Sequence, residues 1–204
     1  MVHPEAWPQV NTFDTELFLW LNGFAGRSAL LDDLMRIVVS DYLVPLLSAL
    51  AIFGLWFAGR TPHERFRLQV ASIAGAAAIG LSNVGVLLIN LMWQRPRPFE
   101  ELDGQVTMLF YQATDPSFPA NAVAVAFAAA AVVWTQSRKL GSVLFLAGTL
   151  YGISRVYTGV SYPTDALGGA AVGVLTAVFT FQLRRLLAPF VHLLLRFLRG
   201  LALA

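Results

Sequence analysis

Apolar residues in this chain are gathered into long runs, and short clusters of arginine, proline and acidic residues separate them. A helix needs about 20 apolar residues to cross a bilayer, because backbone groups in hydrocarbon must bond within the helix. Five stretches meet or approach that length: 42–59, 68–93, 119–136, 140–157 and 163–183. Pro119 and Pro163 stand at the predicted starts of the third and fifth, where a missing N–H costs no hydrogen bond. Gly75, Gly80, Gly85, Gly169 and Gly173 read as packing positions, the last two at GxxxG spacing. The pattern changes at both ends. Residues 13–39 mix apolar side chains with Asp14, Glu16, Asp32, Asp33 and Arg36, and 186–203 mixes leucines with Arg196 and Arg199, just beyond Arg184 and Arg185. Both read as amphipathic helices lying along the interface, with a sixth span open at either end. The expected organisation is one membrane domain over 1–204: an amphipathic region at 1–41, core spans in 42–183 and a basic tail helix at 184–204.

Composition supports a lipid environment. Hydrophobic residues make up 57 % of the chain and charged residues 13 %, against roughly 45–50 % and about 25 % in soluble domains. The absence of cysteine excludes disulfides, thiolate nucleophiles and cysteine metal sites. A net charge of +2 is too small to suggest nucleic acid as a partner. The first twenty residues hold Glu5, Asp14 and Glu16 but no Lys or Arg. No cleavable leader is expected from such a start, so insertion relies on the internal spans.

The loops give an orientation. Arg60, Arg65, Arg67, Arg138, Lys139, Arg184, Arg185, Arg196 and Arg199 fall on one side of the predicted bundle, nine of the fourteen basic residues. By the positive-inside rule that side is expected to be cytoplasmic. Trp56, Trp93 and Trp134 lie near span ends, where aromatic belts form. The loops at 93–118 and 156–162 then share the extracytoplasmic face.

That face carries the candidate chemistry. Arg95, Pro96, Arg97 and Pro98 end the second span, Ser117, Phe118 and Pro119 open the third, Ser154 and Arg155 close the fourth, and Asp165 opens the fifth. Ionisable residues at converging span ends are functional candidates, and guanidinium groups bind phosphate oxygens in pairs. A structural pairing of Arg155 with Asp165 is the competing reading.

The segment Ser154-Arg155-Val156-Tyr157-Thr158-Gly159-Val160-Ser161-Tyr162-Pro163-Thr164-Asp165 resembles the third motif of the type 2 phosphatidic acid phosphatases: Ser-Arg, five residues, His, three residues, Asp. Arg97-Pro98 resembles the end of the first motif, which begins with Lys seven positions before its Arg. Pro119-Ala120-Asn121-Ala122 occupies the place of the second, Pro-Ser-Gly-His. The resemblance extends over about residues 14–185. It implies an all-α polytopic membrane bundle of five to six transmembrane helices with amphipathic terminal helices, and it implies neither cofactor nor metal. In that family the Lys and both Arg hold phosphate and the third-motif His attacks phosphorus. The Asp orients that His, and the second-motif His protonates the leaving group. Arg97, Arg155, Asp165 and Ser154 match those positions.

The departures fall on the bond-making groups. Asn90 replaces the Lys, Ala120, Asn121 and Ala122 replace Ser-Gly-His, and Ser161 replaces the nucleophilic His. His3, His63 and His192 belong to no motif. Imidazole suits this chemistry because it is a neutral nucleophile near pH 7 and carries a proton. Alanine does neither, and a serine hydroxyl is a weak nucleophile without a neighbouring base. A carboxylate of ordinary pKa, about 4, is a poor base for it. The expectation is therefore a degenerate site, with no catalytic set intact at Ala122, Ser161 and Asp165. Arg97, Arg155, Asn90, Asn121 and Ser154 are the candidate phosphate-binding group. Binding of a lipid phosphate headgroup and service as an accessory subunit of a membrane complex are the two expected roles. The alternative is an active phosphatase or diphosphatase acting on isoprenoid or glycerolipid phosphates.

Overall fold

The computed structural model describes residues 12–102 and 104–200, with side chains described through residue 183. These residues form α1 (Thr12–Asn22), α2 (Ala29–Val39), α3 (Leu43–Phe57), α4 (Pro62–Met92), the short α5 (Pro98–Glu101), α6 (Asn121–Gln136), α7 (Arg138–Tyr157) and α8 (Pro163–Gly200). No strand occurs among the described residues.

The centre of the bundle is α6, which packs on α3, α4, α7 and α8. Its alanine-rich sequence fits that place, since a helix apolar all round is one surrounded by neighbours. Val123, Ala124, Ala126, Ala128, Ala129, Ala130, Val132 and Val133 are all buried. Small side chains let α8 approach so closely that a methyl group on Gly173 would lie 2.2 Å from the Ala124 carbonyl oxygen. One on Gly169 would lie 2.4 Å from the carbonyl oxygen of Ala120. Around this centre, α3 and α4 turn Leu46, Leu50, Phe53, Leu87, Leu88 and Leu91 outward. Such a surface would be unstable in water and is matched to lipid.

Among the described residues, three helices are long and apolar enough to cross a membrane alone: α4, α7 and α8 over Pro163–Leu183. The pair α2–α3 qualifies as one span bent by 43°. The sixteen-residue α6 is apolar but shorter. Where five to six spans are expected, the described residues offer three or four by length, and α6 is a shorter apolar helix packed among them. Position 42, the expected start of the first span, is instead the kink between α2 and α3. The N-terminal stretch forms two helices, α1 lying across the ends of α7 and α8 and α2 along α7. Asp32 does not face water: it is 8 % exposed and accepts from the Tyr157 hydroxyl at 2.7 Å and the Gly26 N–H at 3.1 Å. At the other end α8 runs unbroken through Gly200, so the tail at 184–200 continues the last span rather than starting a new helix.

Candidate functional site

At one end of the bundle four segments meet: the chain leaving α4, the approach to α6, the end of α7 and the start of α8. Backbone hydrogen bonds fasten them, from the Ser117 N–H to the Arg95 carbonyl (2.9 Å) and from the Ala120 N–H to the Asp165 carbonyl (2.9 Å). Residues 158–162 must reverse the chain between α7 and α8. Gly159 permits this with φ +86°, a region other residues avoid, and a side chain there would strike Met108 and Val106 at 2.8 Å. The Val160 N–H closes the turn onto the Arg155 carbonyl at 2.9 Å.

Asp165, fully buried, sits where the turn enters α8 and has both oxygens occupied. Oδ1 accepts from Arg95 at 2.7 Å, and Oδ2 accepts from the Ser117 hydroxyl at 2.5 Å and the Tyr162 N–H at 2.8 Å. The Arg95 guanidinium also donates to Asp14 of α1 at 2.6 Å and lies over the Tyr162 ring, 4.2 Å from its centroid. Asp14 in turn accepts from the Thr164 N–H at 3.0 Å and from the Thr164 hydroxyl. Burial pulls the Arg95 pKa down, but Asp165 and Asp14 outweigh it and hold the group above its ordinary value. This cation is fixed between two carboxylates.

Arg97 is buried on the other side of the turn. Its Nε and Nη2 donate to the carbonyl and carboxylate of Asp115 at 2.8 and 2.9 Å, and Nη1 donates to the Val160 carbonyl at 2.8 Å. A guanidinium has five N–H donors, so two remain beyond these contacts. Burial lowers the Arg97 pKa, with Asp115 opposing, and Arg155 adds to the lowering.

Arg155 is the under-satisfied cation. Its side chain is 8 % exposed, yet the nearest carboxylate oxygen, on half-exposed Asp41, lies 3.9 Å away. The Tyr151 hydroxyl is 3.4 Å from Nη1, and Nε has no partner. Ser161 Oγ, Asn121 Oδ1 and Asn90 Oδ1 are also buried without partners among the described residues. Asp41 is shared with the Tyr111 hydroxyl at 2.7 Å, and that bond, with burial adding, pushes the Tyr111 pKa up to about 12.

The residues expected from the sequence are therefore brought to one end of the bundle, with different fates. Asn90 ends α4, Asn121 and Ala122 open α6, and Arg97, Arg155, Ser161 and Asp165 gather at the turn. The Ser154 hydroxyl is turned back onto its own helix, donating to the Tyr151 carbonyl at 2.7 Å. The competing reading, an Arg155–Asp165 pair, does not form, because Arg95 takes that carboxylate. His63 lies in the first turn of α4, 27 residues or about 40 Å along the helix from Asn90. His3 and the His192 side chain lie outside the described residues. Sequence reasoning missed Asp14, whose partners are 81 and 150 residues away. Nothing local set it apart, since Glu16 stands two residues on in the same helix.

Comparison with known proteins agrees with this geometry. The chain is 32 % identical to undecaprenyl-diphosphatase BcrC of Bacillus subtilis over 181 residues, 89 % of each chain. Its fold resembles that of LpxE from Aquifex aeolicus, with a TM-score of 0.67, 27 % identity and coverage of 89 % of this chain and 99 % of the other. A phosphatidylglycerolphosphate phosphatase of Bacillus subtilis shares the fold, with a TM-score of 0.63, 21 % identity and coverage of 87 % and 88 %. The PAP2 superfamily profile matches residues 70–188, which hold all three motif positions. An all-helical apolar bundle with those positions at one end is what this match requires, and the chain belongs to the PAP2 superfamily.

Proposed function

We propose that this membrane protein binds the phosphate of a lipid headgroup at the Arg155 end of the bundle and does not hydrolyse it. The carrying observation is Arg155: a buried guanidinium whose Nε lacks a partner and whose nearest carboxylate is 3.9 Å away. A buried cation with no close counter-ion is costly, and an anion accepting from Nε and Nη relieves that cost. Ser161 and the two spare donors of Arg97 complete a set of phosphate donors. Either end of the Asn121 and Asn90 amides can be presented to an oxygen by rotation. Loss of hydrolysis is supported by the missing proton carriers. Ala122 has no titratable group, and Asp165, saturated by Arg95, Ser117 and Tyr162, has no contact with Ser161 that would make it a base. The basic residues Arg60, Arg65, Arg67, Arg138 and Lys139 at the far end favour a site facing the extracytoplasmic side of a bacterial cytoplasmic membrane.

Calorimetry with the detergent-solubilised chain and a short-chain phosphatidic acid tests the reading. Binding is expected, with roughly a tenfold or greater loss in Arg155→Ala, since a charge-assisted bond contributes about 1.5–3 kcal/mol. Equal affinity in that variant overturns it. One observation favours an active enzyme: the free Ser161 hydroxyl stands at the nucleophile position. Phosphate release by the unmodified chain that vanishes in Ser161→Ala would establish that route.

A further inference from the structure

Beside the site, an apolar groove of about 450 Å³ runs down between α7 and α8, with α6 behind it. Small residues make the space. Gly148 and Gly152 of α7 and Ala166 and Ala170 of α8 line it, and at Gly152 the two helices come so close that an added methyl group would lie 3.4 Å from the Ala166 methyl carbon. The one polar side chain in the lining is Thr149, and its hydroxyl is already donated to the Phe145 carbonyl at 2.9 Å. Water would find no partner there, and a water site needs two to four of them.

Three features identify the occupant. The groove follows α7 from Val156 to Gly148, eight residues or about 12 Å, close to half of a ~30 Å hydrocarbon core. It therefore lies in the leaflet on the site's side. Its upper end is continuous in sequence with the site, since Val156 follows Arg155 and Pro163 and Ala166 flank the turn that carries Asp165. Leu17 and Leu21 of α1 close it from above. That helix is fastened on either side of them, at Asp14 to Arg95 and Thr164 and at Asn22 to the Thr107 and Tyr157 carbonyls. Entry is left from the lipid side, beneath a tied helix.

We infer that this groove holds one hydrocarbon chain of the lipid whose phosphate lies at Arg155, with α1 as the strap across the chain where it meets the headgroup. The volume equals about fifteen water-sized groups at ~30 Å³ each, enough for a single chain of a dozen or so carbons. The inference rests on the headgroup reading for the position of the phosphate, but the groove itself is testable without it.

The test uses the full chain in detergent with farnesyl phosphate, farnesol and inorganic phosphate as separate probes, on wild type and Ala166→Leu. The leucine adds bulk to the groove lining at a position outside the phosphate donors Arg155, Ser161 and Asn121. Farnesyl phosphate affinity is expected to fall roughly tenfold, the equivalent of two buried methylenes, while inorganic phosphate binds as before. Equal farnesyl phosphate affinity in the two chains overturns the inference and leaves the headgroup reading standing. Farnesol binding that is lost in Ala166→Leu, with no phosphate effect in Arg155→Ala, keeps the groove and removes the headgroup reading. Should Ala166→Leu not fold, as judged by its thermal transition, Ile153→Trp at the exposed rim makes the same comparison.

Discussion

Arg95 holds two carboxylates at once, and each removal has a distinct expected cost. Asp14 is 1 % exposed and the Arg95 side chain 11 %, so Asp14→Ala leaves Arg95 with Asp165 as its one remaining carboxylate and takes the acceptor from two Thr164 donors. Breaking one side of such a pair costs about 3 kcal/mol, read as a fall in the thermal transition of the detergent-solubilised chain. The double variant Asp14→Ala, Arg95→Met should cost less than the sum of the singles, because it leaves less charge unpaired. Tyr111 offers a check by pH. Its hydrogen bond to Asp41 raises the folded pKa to about 12 from the ordinary 10. The folded state thus keeps a proton that the unfolded state loses, so this contribution is whole below pH 10 and fades as the pH climbs toward about 12. The ultraviolet step that Tyr111→Phe removes is expected near 12, and Asp41→Ala should move it toward 10. At this scale the sequence was legible where spacing carries meaning: Arg97, Arg155 and Asp165 fall into place from motif order alone. It was silent on Asp14, since nothing local marks a carboxylate whose partners, Arg95 beyond the end of α4 and Thr164 of α8, are brought to it only by the fold.

Helix packing separates glycines that look alike in the sequence. A methyl group on Gly173 meets the Ala124 carbonyl oxygen at 2.2 Å, an atom of a central helix that has nowhere to move. Gly173→Ala should cost about 3 kcal/mol and broaden the elution profile in size-exclusion chromatography. At Gly85 the nearest atom is a Val172 methyl carbon at 3.5 Å, ordinary contact distance, and at Gly80 nothing lies within 4 Å. Gly80→Ala is expected to raise stability by about 0.5–1 kcal/mol, because alanine favours the helix and costs no space. The GxxxG pattern rightly selected the first kind, and the second kind shares its composition but not its neighbours. The α2–α3 bend shows the converse. Asp32 and Asp33 argued against a span before residue 42, yet Asp32 is satisfied internally by Tyr157 and Gly26, so the apolar stretch around it can join the bundle. A charge excludes a segment from lipid only when the fold leaves it alone.

For the whole molecule, the absence of cysteine makes topology directly measurable. Single cysteines at Gln112 and Lys139, both exposed and at opposite ends of the bundle, should react with an impermeant maleimide from opposite sides of sealed vesicles. Labelling of Gln112→Cys from the periplasmic side fits the proposed orientation, and labelling of Lys139→Cys from that side reverses it. The strap formed by α1 also fixes an order of events during synthesis. This helix emerges ahead of the spans, yet Asn22 has no carbonyls to bind until residues 107 and 157 exist, and Asp14 none of its donors until residues 95 and 164 do. A nascent chain stalled short of α8 should therefore leave α1 open to protease, and one stalled well beyond it should protect the same bonds. A helix that leaves the ribosome ahead of the spans is locked only after the last of them has begun.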